Sequence, residues 1–293
     1  MDVVKKILIT GGGAPGAPGI IKAIKLAEPN ITIYSCDFAP HTAGKMLADE
    51  YFTVPVGNDP KYIDVLLKKV LEEKITTILP ITTKELIPLS EHKLLFENEN
   101  INVVVSDLEH LNIANNKGLL YTHLHNHGIA TPKFAIASDF SEYQQAKEYL
   151  KSSEKKYIIK PCVSNGSRGF RIVDSSVSEH DLLFNHKPTS TYISEEKLDE
   201  ILAEPFPPIL LSEYLPGQEY TVDCFVQNGE AKLIVPRKRE KMNNGISVEG
   251  TIENKTEIIA YCQAILDVLP LHGPIGIQVK YSKHNKPLIV EIN

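Results

Sequence analysis

No stretch of this chain approaches the ~20 consecutive apolar residues that a membrane-spanning helix needs, so no helical membrane span is expected. The four cysteines (Cys36, Cys162, Cys224, Cys262) are scattered without a Cys-x-x-Cys pair, so neither a zinc cluster nor a disulfide framework is suggested. A reduced, cytoplasmic setting follows as the expectation. The charge balance lacks a basic excess: 31 Lys and Arg stand against 37 Asp and Glu, a formal net charge of −6. That argues against nucleic acid as the main partner, because phosphate-backbone binding relies on clustered cations. Internal repeats and low-complexity runs are lacking too. The opening residues 1–10 carry charge inside a short apolar run that leads into glycines, which reads as a first strand and not a signal peptide.

What the chain does have is length and pattern. Its 293 residues, 42% of them hydrophobic, suffice for two domains with buried cores. Strand signals at residues 6–10, 31–36, 51–55, 77–80 and 102–106 alternate with helix signals at 20–27, 62–74 and 85–96. Such alternation implies βαβ units and a doubly wound parallel sheet. From about Asp107 the texture changes. Helix signals at 116–127, closed by Gly128, and at 141–150 are mixed with strand signals at 133–136, 157–160, 209–213 and 219–226. Residues 175–204 are polar and helix-prone. The second half therefore reads as α+β with antiparallel strands.

Several groupings carry chemistry. Gly11-Gly-Gly-Ala-Pro-Gly16 opens a helix and is followed by Asp37 at the end of the second strand. It reads either as a dinucleotide loop, with the acid for a ribose, or as a purely structural turn. Lys160 closes an apolar strand directly before Ser164-Asn-Gly-Ser-Arg-Gly169. A strand-end lysine can present a point charge to phosphate. The backbone N–H groups around Ser164, Gly166, Ser167 and Gly169 can wrap phosphate oxygens, and Arg168 can add charge-assisted bonds. Near the end, Gln278 on one strand-like run and Glu291 and Asn293 on the next offer three oxygen donors, suited to Mg2+ that keeps waters and phosphates as its other ligands. Arg237, within Pro236-Arg-Lys-Arg239, is the arginine preferred for a substrate carboxylate or a transferring phosphate; the alternative is a solvated charge run. His123, His125 and His127 form an alternating run, but only His123 and His127 share a helical face, and without a carboxylate they read as exposed side chains rather than a zinc site.

Taken in order, these segments resemble the ATP-grasp superfamily, and are most similar to its carbamoyl-phosphate synthase large-chain-like members, over essentially the whole chain. The resemblance implies an N-terminal doubly wound parallel-sheet (pre-ATP-grasp) domain over residues 1–112 and an α+β ATP-grasp domain over 113–293. It assigns Lys117 and Lys160 to ATP phosphates and the glycine loop to a closing flap. Glu213, Tyr214 and Leu215 become an adenine-holding hinge, Glu219 the ribose acid, and Gln278, Glu291 and Asn293 the ligands of Mg2+, which Mn2+ could replace. The implied function is an ATP-dependent carboxylate–amine ligase that forms an acyl phosphate and takes small-molecule carboxylate and amine substrates. The implied partners include no nucleic acid and no membrane, and a homodimer is compatible. Two other classes stay open: an NAD(P)-dependent oxidoreductase using the Gly11–Gly16 loop, and a nucleotide-binding module without turnover. In the family the last strand continues past the position of Asn293 into a Pro-Arg turn. The expectation is therefore a C-terminally incomplete domain, its metal residues more exposed than usual, that binds ATP but turns it over poorly.

Overall fold

β-branched runs too short for helices, set between amphipathic segments, build a parallel sheet in the first hundred residues. The computed structural model describes residues 5–151, 156–164, 166–187, 189–243 and 245–293. Residues 1–4 of the opening run, Asn165 of the glycine loop and Pro188 of the polar stretch thus lie outside the described residues. Chain contacts divide the molecule into two compact units, 1–111 and 112–293.

The first unit runs β1 (Lys6–Ile9), α1 (Ala17–Ala27), β2 (Thr32–Asp37), α2 (Ala43–Leu47), β3 (Glu50–Thr53), α3 (Tyr62–Glu72), β4 (Thr77–Leu79), α4 (Thr83–Glu91), α5 (Lys93–Glu97) and β5 (Asn102–Val103). The strands pair in parallel in the order β3-β2-β1-β4-β5. Leu8 and Ile9, adjacent on β1, enter separate cores on opposite faces, one with Tyr62, Leu66 and Phe96 and the other with Ile21 and Ile33. Helices therefore cover both faces, as the doubly wound reading requires. The single helix expected over 85–96 is two. His92 leaves helical dihedrals at φ −106°, ψ 15°, and its ring Nδ1 bonds the carbonyl of Pro88 at 2.9 Å.

The Gly11–Gly16 turn is filled by its own chain. The Asp37 carboxylate accepts the N–H groups of Gly13 (2.8 Å) and Ala39 (3.0 Å). Gly12 donates to the carbonyl of Cys36 and accepts from the N–H of Gly44. A Cβ on Gly12 would stand 2.4 Å from Ser35 Oγ, and one on Gly44 2.8 Å from Gly12 Cα, so both glycines allow close backbone packing.

Beneath that turn Glu85 is buried, accepting from Thr10 Oγ1. Burial holds its carboxyl above the usual range, against hydrogen bonds from Thr10 and Thr82 and with the Asp37 charge adding to it. A raised acid binds its proton more tightly folded than unfolded. Its charge therefore costs stability as pH rises through and above the ordinary carboxylate range. Glu85→Gln should raise the melting temperature near pH 7, because it removes the charge that burial penalises. The gain should vanish near pH 4. Thermal unfolding followed from pH 4 to 8 checks both.

After α6 (Leu108–Asn115) the chain continues through α7 (Lys117–Asn126), β6 (Phe134–Ala137), α8 (Phe140–Lys151), β7 (Lys156–Pro161), β8 (Arg171–Asp174), α9 (Glu179–Asn185), β9 (Tyr192–Ile193), α10 (Glu195–Leu202) and β10 (Ile209–Glu213). Then come β11 (Glu219–Gln227), β12 (Glu230–Asn243), β13 (Ile246–Ile252), α11 (Thr256–Val268), β14 (Gly273–Tyr281) and β15 (Pro287–Ile292). One mostly antiparallel sheet has the order β6-β10-β7-β8-β9, the other β13-β12-β11-β14-β15. In the second sheet Tyr220, Val222, Cys224 and Val226 face a core shared with Leu120, Leu124 and Ile265. The alternate residues Glu219, Thr221, Asp223 and Phe225 are left on the open face. The Pro236–Arg239 run, expected after a strand, lies inside β12, paired with β11 on one side and β13 on the other.

Candidate functional site

Strand register assembles the site. Across the open face of the second sheet one row reads Arg237, Thr221, Gln278, Glu291. Next to it Glu219 opposes Lys280 and bonds the Arg239 guanidinium. Directly opposed residues share a face, so Gln278 and Glu291 present their oxygens side by side.

The α7 start and the β7 end supply the cations. Asn116 caps α7 by accepting the N–H groups of Gly118 and Leu119, and the Lys117 N–H donates to the carbonyl of Cys162. Lys117 Nζ then reaches the carbonyl of Ser164 at 2.8 Å and Glu291 Oε2 at 3.4 Å. Lys160, 5% exposed, donates to the carbonyl of Val290 at 2.8 Å and lies 5.4 Å from the Tyr121 ring centre. Burial pulls its ammonium down to about 8, with Glu291 opposing and Lys117 reinforcing the fall.

These groups line one cavity of about 190 Å³: Lys117, Lys160, Arg168 and Arg239 as cations, Glu219 and Glu291 as carboxylates, with Gln278, Ser164 and Ser167 between them and Phe170, Met242 and Val290 as apolar wall. Four cations against two acids leave a positive excess. The volume is below the ~300–1,000 Å³ usual for ligand pockets, and Arg239 is one reason. Its guanidinium, 5% exposed, bonds Glu219, reaches Gln278 Oε1 at 3.3 Å and donates to the carbonyl of Gly245. Its buried Nε has no partner among the described residues.

The glycine loop is held in left-handed conformation by Gly166 (φ 61°), Ser167 (φ 58°) and Gly169 (φ 74°). A Cβ on Gly169 would stand 2.6 Å from the Pro161 ring, so glycine is required there. Residues 166–169 are exposed.

Not every expected residue reaches the cavity. Arg237 bonds Asp223 instead (Nε to Oδ2 2.9 Å, Nη2 to Oδ1 3.3 Å), and Arg239, the other arginine of the Pro236–Arg239 run and not the one preferred from the sequence, lines the cavity. Glu213, Tyr214 and Leu215 are outside the lining. The Glu213 N–H is given to the carbonyl of Lys133, Leu215 is buried, and Lys280 Nζ stands 5.7 Å from the Tyr214 ring. Asn293 pairs its backbone with Gly276 and is exposed, beside the cavity rather than in its wall. Gly166 and Gly169 shape the loop without lining the cavity. Away from the site, His123 Nε2 lies 2.8 Å from the carbonyl of Val268 and the His127 ring bonds the carbonyl of His123, which gives both a structural role.

Comparison with known proteins bears on the fold. Residues 7–104 match the profile of the PylC-like N-terminal domain, and residues 205–293 that of the family described as ATP-grasp in the biosynthetic pathway with Ter operon. Compared by sequence with curated proteins, the chain matches none. Among solved structures it superposes on an ADP complex of purK, the N5-carboxyaminoimidazole ribonucleotide synthetase, with TM-score 0.72 and 17% identity over 99% of this chain and 70% of that one. An L-amino acid ligase from Bacillus licheniformis gives TM-score 0.69 at 14% identity over 99% and 66%. The biotin carboxylase–βγ-ATP complex from Campylobacter jejuni gives TM-score 0.69 at 14% identity over 99% and 65%. At these identities the likeness is one of fold.

Proposed function

We propose that this chain, whose fold is that of the ATP-grasp enzymes it superposes on, is an ATP-dependent ligase joining a small-molecule carboxylate to an amine. The observation that carries this reading is the cavity in which Lys117, Lys160, Arg168 and Arg239 converge beside Gln278 and Glu291. A triphosphate needs such a concentration of cations, shielded from water. Lys117 and Lys160 would hold the phosphates, Ser164, Ser167 and Arg168 would close over them, and Glu219 would accept the ribose hydroxyls. Glu213, Tyr214 and Leu215 remain the proposed hinge for adenine. Gln278 and Glu291 are adjacent hard oxygen donors and fit Mg2+, with Asn293 next to them; the ion, when bound, would neutralise phosphate charge.

In the proposed reaction a carboxylate oxygen attacks the γ-phosphorus, the bond to ADP breaks, and an amine displaces phosphate from the acyl carbon. The chain's part would be positioning and charge neutralisation, with Arg239 proposed as the cation that meets the transferring group. ADP release across crossed panels of carboxylates and amines tests the reading; release that needs both substrates supports it, and none with any pair counts against it. A thermal-shift comparison of Mg·ATP with NADH and NADPH tests the oxidoreductase alternative, which the occupied Asp37 carboxylate does not favour.

Closure of the loop is a separate expectation. Its exposed residues have little apolar surface to anchor them. Amide exchange in a peptide spanning 162–170 should slow at least about tenfold on saturation with Mg·ATP, equivalent to about 1.4 kcal/mol of added local stability. Unchanged protection would leave the loop without a closing role.

A further inference from the structure

Two residues past the Gln278 position on the open sheet face, the register brings Asp223 opposite Gly276, whose backbone pairs in turn with Asn293. Asp223 holds Arg237 through two hydrogen bonds, yet its side chain is 54% exposed and that of Arg237 32%. An exposed ion pair of this kind contributes little to stability, so stability gives it no evident purpose. Its position does. Arg237 stands in the same row as Gln278 and Glu291. Asp223 lies one strand repeat further, about 6.7 Å along the sheet. Gly276 leaves the face open between Asp223 and Asn293: a Cβ there would meet nothing nearer than 3.6 Å. In the next row Phe225 and Leu233 oppose one another, 47% and 56% exposed.

Charge, spacing and apolar surface thus follow in order away from the Gln278–Glu291 row. We propose that Asp223 and Arg237 form the head-group subsite for an α-amino acid with an apolar side chain, a proposal that rests on the ligase reading above. Arg237 takes the α-carboxylate as a planar two-point donor and turns it toward the phosphate row. Asp223 takes the α-ammonium. The side chain lies on Phe225 and Leu233. In the free protein the two side chains satisfy each other, and the zwitterion replaces each partner with a like charge, so neither is left unpaired. The repeat of about 6.7 Å accommodates one amino-acid head group between the ammonium position and the row where phosphate is expected. Simple carboxylic acids would lack the Asp223 contact, and acidic amino acids would set a second negative charge against apolar surface.

The test is calorimetric titration of L-leucine, N-acetyl-L-leucine, leucinamide and L-aspartate into the full chain saturated with Mg2+ and a non-hydrolysable ATP analogue. Leucine should bind at least about tenfold more tightly than the other three, the discrimination expected of one charged hydrogen bond. In Asp223→Ala, and in the milder Asp223→Asn, leucine and N-acetyl-leucine should bind alike. In Arg237→Ala, leucine should bind no better than leucinamide. Each variant should keep its affinity for the Mg2+-bound analogue. Leucine binding unchanged in these variants, or absent while the analogue binds, overturns the subsite. Failure of the wild-type chain to bind the analogue overturns the ligase reading beneath it.

Discussion

Lys160→Met should weaken Mg·ATP binding strongly while leaving the ligand-free protein as stable as wild type or more so. The ammonium is buried among Tyr121, Val290 and Lys117, and burial has already drawn its proton affinity down to about 8. A buried cation is tolerated there only at a cost. Negative phosphates would repay that cost and hold the proton in place. Methionine removes the cost and the phosphate contact together, and fills similar volume. A loss of about tenfold to a hundredfold or more in affinity is expected from one charged hydrogen bond with its Coulomb attraction. The pH dependence has a definite sign. A lysine depressed in the free protein binds phosphate only when charged, so wild-type affinity should fall as pH rises through about 8. Lys160→Arg, which stays charged, should flatten that limb. Titration of Mg·ATP from pH 6.5 to 9.5 with all three proteins is the check. A Lys160→Met chain that binds like wild type would take this lysine out of the nucleotide site.

How much of this is legible before folding depends on what each feature requires. The parallel sheet needs only local patterning. Leu8 and Ile9 are both apolar because helices cover both faces, and the glycines and Asp37 mark the turn after β1 without showing whether a ligand fills it. Lys160 and the glycine loop are adjacent in sequence, and Gln278 and Glu291 sit on strands with clear apolar alternation. Their convergence follows once those strands pair. The arginine is different. Arg237 and Arg239 are two apart, so strand alternation puts both on one face and cannot choose between them. The cross-strand partner decides: Arg239 bonds Glu219 at the cavity, whereas Arg237 bonds Asp223. Nor does the charged run 236–241 resemble a strand, since none of it is β-branched, and only pairing with β11 and β13 holds it extended. The hinge is legible as an extended segment before a Pro-Gly turn, but its distance from the cavity wall is a tertiary property.

Arg239→Ala should lower the rate of carboxylate-dependent ADP release by about a hundredfold to a thousandfold, the usual cost of removing one donor to developing charge, with a smaller change in apparent ATP affinity. In the free protein this guanidinium bonds Glu219 and Gln278, the acid proposed for ribose and a donor proposed for Mg2+, and it holds Gly245 in the turn between β12 and β13. In the proposed roles, nucleotide and metal would therefore compete with Arg239 for Glu219 and Gln278. Once displaced, the arginine has an unpaired Nε and nearby phosphate oxygens to bond. Removing it has two opposed effects on binding: the acceptors are freed in advance, and a cation is lost. Those partly cancel in affinity but not in turnover, where only the lost cation counts. Arg239→Lys should recover part of the rate, because the charge returns without the fork that spans Glu219 and Gln278. Arg237→Ala, by contrast, should leave the rate at saturating carboxylate much closer to wild type and act on the carboxylate KM. Steady-state kinetics of the three variants separate the roles. Wild-type turnover in Arg239→Ala would return the catalytic part to another cation of the cavity, and Arg168 would be the first to substitute.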